Sequence, residues 1–452
     1  MEVKIISKEC IKPSSPTPPN LKTHRLSLLD QFSSFGYIPV IFFYPMNQSI
    51  SNNAAVDHIV SQRSHSLKQS LSEILTRFYP FAGKIKDHLS IDCNDEGVFY
   101  LEAYLNCHLV DCLRQPNIAS FEKFLPRESW KGPTEGDHVA MIKVTTFACG
   151  GIAIGVLVSH MIADGISLSV FLKDWAATAR KASEKVVCPN FDASSIFIQN
   201  GAYSREAIMT ALSKPCKSGR CIVRRIVFDA SAIASLKANA TRSSVQNPTR
   251  VEVVSAFLWK CTMTAFKATS GIQRPTFITH AVNLRRRANP PFTESSIGNI
   301  LWGTGELCTA DEIDLICMVS KLREAITKVN VDFVKNLQGD GGFFKLWELV
   351  KARTGAVSSM AFSCGMDYIG FTSWCNFGVY DIDFGWEKPM WVSLVGATGD
   401  SETVFRSRIY LMDTRSGNGI EAWVLLDKED MTMLAQDQEL LAFASLDPSP
   451  IE

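Results

Sequence analysis

No apolar run in this 452-residue chain reaches the roughly 20 residues that a membrane-spanning helix needs. The nearest candidate, residues 152–172, is broken by His160, Asp164 and several glycines and serines. Net charge is also missing. The chain has 46 Lys and Arg against 46 Asp and Glu, so no overall field steers it to nucleic acid or to an anionic membrane. Arg285-Arg286-Arg287 is a local basic cluster of the kind that is most often solvated. The thirteen cysteines include no C-x-x-C pair. The closest spacings, Cys107/Cys112 and Cys216/Cys221, match no metal signature, and free thiols in a reducing cytosol are expected. The first seven residues lack the basic head and apolar core of a secretory signal, so a cytoplasmic location is expected.

What is present is a globular composition, 46% apolar and 20% charged. At this length two domains are expected. Segment 182–220 is rich in Ser, Lys, Pro and Asn and carries little periodicity. It reads as a crossover linker between an N-terminal domain, 1–181, and a C-terminal domain, 221–452. Residues 13–19 contain four prolines and must be extended. Leu67, Leu71, Ile74, Leu75 and Phe78 are spaced as the stripe of an amphipathic helix, which Pro80 stops. Residues 139–147 and 151–159 read as strands joined by a tight turn at Cys149-Gly150-Gly151. Leu168, Phe171, Leu172 and Trp175 give a second helical stripe. Val251, Val254, Phe257, Leu258, Cys261 and Ala265 resemble a helix face, and 221–228, 277–284 and 420–426 read as strands. Residues 335–342, with Gly339-Asp340-Gly341-Gly342, are expected to form a mobile loop. Strands and helices are mixed, so the class is α/β or α+β.

The most informative stretch is His160-Met161-Ile162-Ala163-Asp164-Gly165-Ile166, directly after the apolar run 152–158. A histidine near a buried strand is more often a satisfied core residue than a catalyst. Here it ends an apolar run, Gly165 follows, and Asp164 offers a charge to lock the turn. If the segment were helical, His160 and Asp164 would share a face at i, i+4 and could hold a metal. No glutamate lies between them, and eight histidines in the whole chain supply no obvious third ligand. Metal-free general base catalysis is the favoured reading, because a neutral imidazole suits proton removal near neutral pH.

A second constellation spans Phe371-Thr372-Ser373-Trp374-Cys375 and Tyr380-Asp381-Ile382-Asp383-Phe384-Gly385-Trp386. Asp383 to Trp386 read as a packed turn. Thr372 and Trp374 each carry a donor that could face a developing oxyanion.

His160-x-x-x-Asp164-Gly165, followed much later by Asp383-Phe384-Gly385-Trp386, resembles the plant BAHD family of CoA-dependent acyltransferases. Ser14-Ser15-Pro16-Thr17-Pro18, Phe78-Tyr79-Pro80-Phe81-Ala82-Gly83-Lys84, Val282-Asn283-Leu284-Arg285 and Gly298-Asn299 stand in family order. Cys93-Asn94-Asp95, Thr372-Ser373-Trp374-Cys375 and residues 411–417 are similar to the branch that acetylates alkaloids. One departure is visible: Glu387 stands where the second motif usually ends in glycine.

The resemblance implies two related chloramphenicol-acetyltransferase-like α/β domains with mixed sheets and a solvent channel at their interface. It implies an acyl-CoA cosubstrate, acetyl-CoA foremost, with no tightly bound cofactor and no metal. The acceptor would be a small alcohol, an alkaloid or similar plant metabolite. The protein would act as a monomer, without nucleic acid or membrane. His160 would be the base, Trp374 and Thr372 the oxyanion donors, and no acyl-enzyme would form. Asp164 would pair with Arg285, and Gly165, Asp383 and Gly385 would be structural. Lys260, Ser255 and Asn299 would lie along the CoA arm. Transfer to an amine and a non-catalytic binding protein of the same fold are the rival readings, with hydrolysis a further outcome.

Overall fold

The computed structural model describes residues 2–33, 36–46, 53–129, 131–182, 187–211, 217–242, 245–309, 312–394 and 403–451. Two large sheets carry the architecture. The first has six strands in the order Val3–Ile11, Val98–Leu105, Ala140–Phe147, Ile152–Ser159, Tyr37–Tyr44 and Trp391–Ser393. The second has seven, in the order Leu301–Cys308, Thr276–Asn283, Asp367–Ser373, Arg408–Asp413, Ile420–Asp427, Cys221–Phe228 and Ser445–Leu446. Each mixes parallel and antiparallel pairs.

The apolar run that drew attention in the sequence is the strand Ile152–Ser159, and all eight of its residues are buried. A strand covered on both faces has no polar side to alternate with, hence its continuous apolar pattern. It pairs antiparallel with Ala140–Phe147 through the expected tight turn, where Gly150 takes a φ of +77°. Leu168, Phe171, Leu172 and Trp175 are fully buried on the helix Gly165–Ala179. That helix packs beside Asn53–Leu75, whose Leu67, Leu71, Ile74 and Leu75 are also fully buried. The latter helix ends at Leu75, before the proline expected to stop it, and Tyr79–Ala82 form a short 3-10 turn. Thr249 and Glu252 close a capping box on the helix Arg250–Ser270, and Gly271 ends it in the left-handed region.

Two findings differ from the sequence reading. The helix Val331–Asn336 runs into the stretch expected as a loop, and Gly342 opens the helix Gly342–Cys364, so 335–342 is a tight link between two helices. The crossover also carries structure, with helices Ala193–Ile196 and Arg205–Ala211 and the strand Lys217–Gly219. Its Phe197 is fully buried in a third, smaller core. The chain halves also interlock: Trp391–Ser393 completes the edge of the first sheet, with Trp391 opposite Phe43. No helix among the described residues is long and apolar enough to cross a membrane. None of the eleven cysteines whose side chains are described forms a disulfide.

Candidate active site

His160 stands at the end of the strand Ile152–Ser159, and its backbone N–H donates to the Gly36 carbonyl at 2.8 Å. The helix Gly165–Ala179 follows after a short turn. Asp164 is its N-cap, accepting the Ser167 N–H at 2.8 Å. The motif is therefore a strand end, a turn, a cap and a first helical residue. His160 lies outside the helix, so the shared i, i+4 face that a metal would need does not exist.

The Asp164 carboxylate points into a buried network. Arg285 grips it with Nη1 at 2.7 Å and Nη2 at 3.1 Å. Nη2 also donates to the Ser296 carbonyl at 2.8 Å and to Ser167 Oγ at 3.1 Å. Arg285 is fully buried, and every hydrogen bond its guanidinium donates goes to an oxygen. A guanidinium can be held there only because this fork of acceptors replaces water.

The imidazole of His160 is held from a different direction. Asn299 Oδ1 lies 2.8 Å from Nδ1. Asn299 Nδ2 lies 2.8 Å from Asp30 Oδ1 and 2.8 Å from the carbonyl oxygen of His160. Because Nδ2 faces oxygens, Oδ1 is the atom turned to the ring, and it accepts a proton carried on Nδ1. Nε2 then holds the free lone pair. Burial pushes the imidazole below its ordinary 6.5, opposed by the Asn299 bond, the residue's own backbone and the Asp164 charge, and aided by Arg408. The ring is therefore neutral, and a usable base, at pH 7.

His160 and Gly165 line a cavity of about 390 Å³ that lies between the two sheets. Leu29, Phe32, Tyr37 and Pro39 wall it on one side, and Thr279, Trp302, Tyr368, Thr372, Trp374 and Tyr410 on the other. Thr372 and Trp374 sit at the end of the strand Asp367–Ser373, where Thr372 is in register with Tyr410. The Trp374 indole lies against Gly165: a Cβ there would meet Cε2 at 2.8 Å, Nε1 at 3.0 Å and Phe377 Cε2 at 2.9 Å. Glycine in the first motif is thus a matter of space for the indole of the second constellation.

Arg353 also faces the cavity, and sequence reasoning missed it. Its guanidinium stacks on Trp302 at 5.2 Å and donates to the Gly303 carbonyl at 2.6 Å. Among the described residues it has no carboxylate partner, and burial lowers its pKa. Asp30 was missed as well, although Ser27-x-x-Asp30 is a legible helix-start pattern and does form a capping box.

Other expected residues stand elsewhere. Asn299, expected along the CoA arm, is fully buried beneath His160. Ser255 is fully buried and faces His280 at 3.5 Å, because the helix that carries it is apolar almost all round. The Lys260 ammonium pairs with Glu439 at 2.6 Å, and neither Ser255 nor Lys260 lines the cavity. The second motif packs away from it. Phe384 meets Trp175 edge-on at 4.9 Å and stacks on Trp386, Asp383 Oδ1 accepts the Gly385 N–H at 2.8 Å, and the Asp383 carbonyl accepts from Arg180. Gly385 takes a φ of +100° and Glu387 one of +87°. The glutamate that departs from the family pattern therefore occupies backbone that favours glycine.

Residues 1–441 match the Transferase family. Epi-neemfruitin B 7-O-acetyltransferase of Melia azedarach is 52% identical over 457 residues, covering 100% of both chains. Limonoid 7-O-acetyltransferase of Citrus sinensis is 51% identical over 464 residues, again covering 100% of both. The crystal structure of vinorine synthase covers 100% of each chain with a TM-score of 0.80 at 33% identity. With likeness running the full length and a neutral imidazole presented to an inter-sheet cavity, the chain belongs to the Transferase family of plant BAHD enzymes and is a CoA-dependent acyltransferase.

Proposed function

We propose that the protein transfers an acetyl group from acetyl-CoA to a hydroxyl of a limonoid. The observation that carries the chemistry is the His160–Asn299 bond, which leaves an unprotonated Nε2 on the cavity shared with Thr372 and Trp374. His160 takes the acceptor's hydroxyl proton, and the oxygen attacks the thioester carbonyl. The Thr372 hydroxyl and the Trp374 indole N–H donate to the oxyanion; one such donor is worth about 3 kcal/mol in a barrier. The tetrahedral intermediate collapses with loss of the CoA thiolate, which recovers the proton from the imidazolium. No serine or cysteine nucleophile takes part.

The acceptor class rests on two relatives that are more than half identical, both 7-O-acetyltransferases, one of them named for limonoids. This supports a limonoid ahead of the alkaloid expected from the branch resemblance. The lobes 1–181 and 221–452, joined through 182–220, form the two walls of a channel that admits acyl-CoA from one side and the acceptor from the other. The enzyme works as a cytoplasmic monomer.

The test is incubation with acetyl-CoA, a thiol reagent and a hydroxylated limonoid, with the product read by mass spectrometry. Acceptor-dependent CoA release and a mass gain of one acetyl group are expected, and both vanish in His160→Ala. Release without acceptor would mean hydrolysis, and no release would mean a binding protein.

A further inference from the structure

Asp30 lies in the short helix Leu28–Gln31, far from His160 in sequence, and is 3% exposed. Two donors converge on each oxygen of its carboxylate. Oδ2 accepts the Ser27 N–H at 2.8 Å and the Ser27 hydroxyl at 2.7 Å. The hydroxyl itself accepts the Asp30 N–H at 3.2 Å, so its proton is directed to the carboxylate. Oδ1 accepts the Asn299 backbone N–H at 2.7 Å and the Asn299 Nδ2–H at 2.8 Å. Everything that faces this carboxylate donates.

The consequence falls on Asn299. One proton of its Nδ2 goes to Asp30 and the other to the His160 carbonyl at 2.8 Å. A flipped amide would set its oxygen against both of these oxygens and turn an N–H₂ toward the ring. That orientation would demand an acceptor at Nδ1, moving the ring proton to Nε2 and leaving no lone pair toward the cavity.

We propose that Asp30 is a positioning residue: it locks the Asn299 amide and thereby selects the His160 tautomer whose unprotonated Nε2 faces the cavity. The inference rests on the reading of His160 as the base and adds the group that prepares it. Three segments distant in sequence meet here, and each supplies one link. Ser33 braces the same carbonyl, its hydroxyl donating to the His160 oxygen at 2.8 Å.

The test uses the full-length protein labelled with ¹⁵N-histidine, with the His160 signals identified by their loss in His160→Gln. Above pH 7.5 the wild type is expected to show the neutral ring protonated at Nδ1. Asp30→Asn keeps the size but sets an N–H₂ against a donor on one side or the other. It is expected to populate the Nε2-protonated form and to lower kcat about ten- to a hundred-fold, as loss of an outer-shell partner does elsewhere. The KM for acetyl-CoA should stay within about twofold, since Asp30 lines no part of the cavity. In an Asn299→Ala background the same substitution should cost nothing further in kcat, because Asp30 acts through that side chain. A purely structural role would lower the melting temperature and leave the tautomer alone. A wild-type ring protonated at Nε2, an unchanged tautomer in Asp30→Asn, or an equal kcat loss with and without the Asn299 side chain each overturns the proposal. If Asp30→Asn does not fold, Asp30→Ala takes its place: it frees the Asn299 amide and is expected to populate the Nε2-protonated ring, and an unchanged tautomer there overturns the proposal equally. The spectrum does not depend on turnover, so an active His160→Gln would remove the base assignment while the tautomer result stood.

Discussion

Asp164 and Arg285 form a two-pronged ion pair at 2.7 and 3.1 Å, and neither side chain lines the cavity that His160 faces. The aspartate of the first motif therefore shapes the turn that carries His160. It caps one helix and ties it to the 283–298 segment.

Breaking this pair leaves a buried charge without its partner, at a cost of about 3–5 kcal/mol. Asp164→Ala and Arg285→Ala should each lower stability by that order and lower activity with it. The double variant should be little worse than either single, with a coupling of about 1–3 kcal/mol. Urea unfolding of the four proteins measures this, and additive losses would contradict the pairing.

The proposed mechanism needs His160 as a neutral base, and burial lowers its pKa from 6.5. Activity is lost as pH falls through that lowered value, so the acid limb of kcat/KM should lie below 6.5. The Asn299 bond favours the charged ring. Asn299→Ala should thus move the limb further to acid while also reducing kcat. A limb at or above 6.5 in the wild type would contradict the buried, neutral ring.

Gly165→Ala would place a methyl carbon 2.8 Å from Cε2 and 3.0 Å from Nε1 of the Trp374 indole, inside van der Waals contact. The indole must then shift, and a displacement near 1 Å at a reacting centre costs on the order of a hundredfold in rate. Steady-state kinetics should show kcat down by roughly that factor, with the melting temperature changed by only a few degrees. An unchanged kcat would mean that Trp374 does not need its present place.

Glu387 combines two opposing effects. Its φ of +87° costs an ordinary residue about 1–2 kcal/mol, while its charge favours the cation of Arg63, a buried guanidinium stacked on Trp386 at 5.0 Å. Glu387→Gln removes the charge and keeps the strain; Glu387→Gly removes both. The glycine variant should be more stable than the glutamine variant by about 1 kcal/mol, after the entropy of glycine is deducted. Denaturant melts of the two variants, with activity near the wild-type level in both, check this.

The sequence reached much of this structure where a local pattern answers to a local cause. The strand Ile152–Ser159 showed as an apolar run because both its faces are covered. Leu168, Phe171, Leu172 and Trp175 showed as a stripe because one side of their helix meets the core. Residues 335–342 misled because their glycines end and begin helices as readily as they form a loop, and Gly339 does adopt a φ of +70°. Ser255 was legible in principle: it lies beside Val254 and Leu258 on the buried side of its helix, and that placement argued against a ligand role.

The sequence by itself determined which imidazole stands at a strand end, which aspartate caps the next helix and which glycine follows. Spacing along one short segment sets those positions. Tertiary structure alone decided what the imidazole touches. Asn299 reaches it across 139 residues of chain, and Asp30 reaches Asn299 across 269. Hydrogen bonds across such distances leave no period in a sequence. They arise only when two sheets and an N-terminal turn close on the same buried space, and there the direction of every donor and acceptor is fixed by the packing around it.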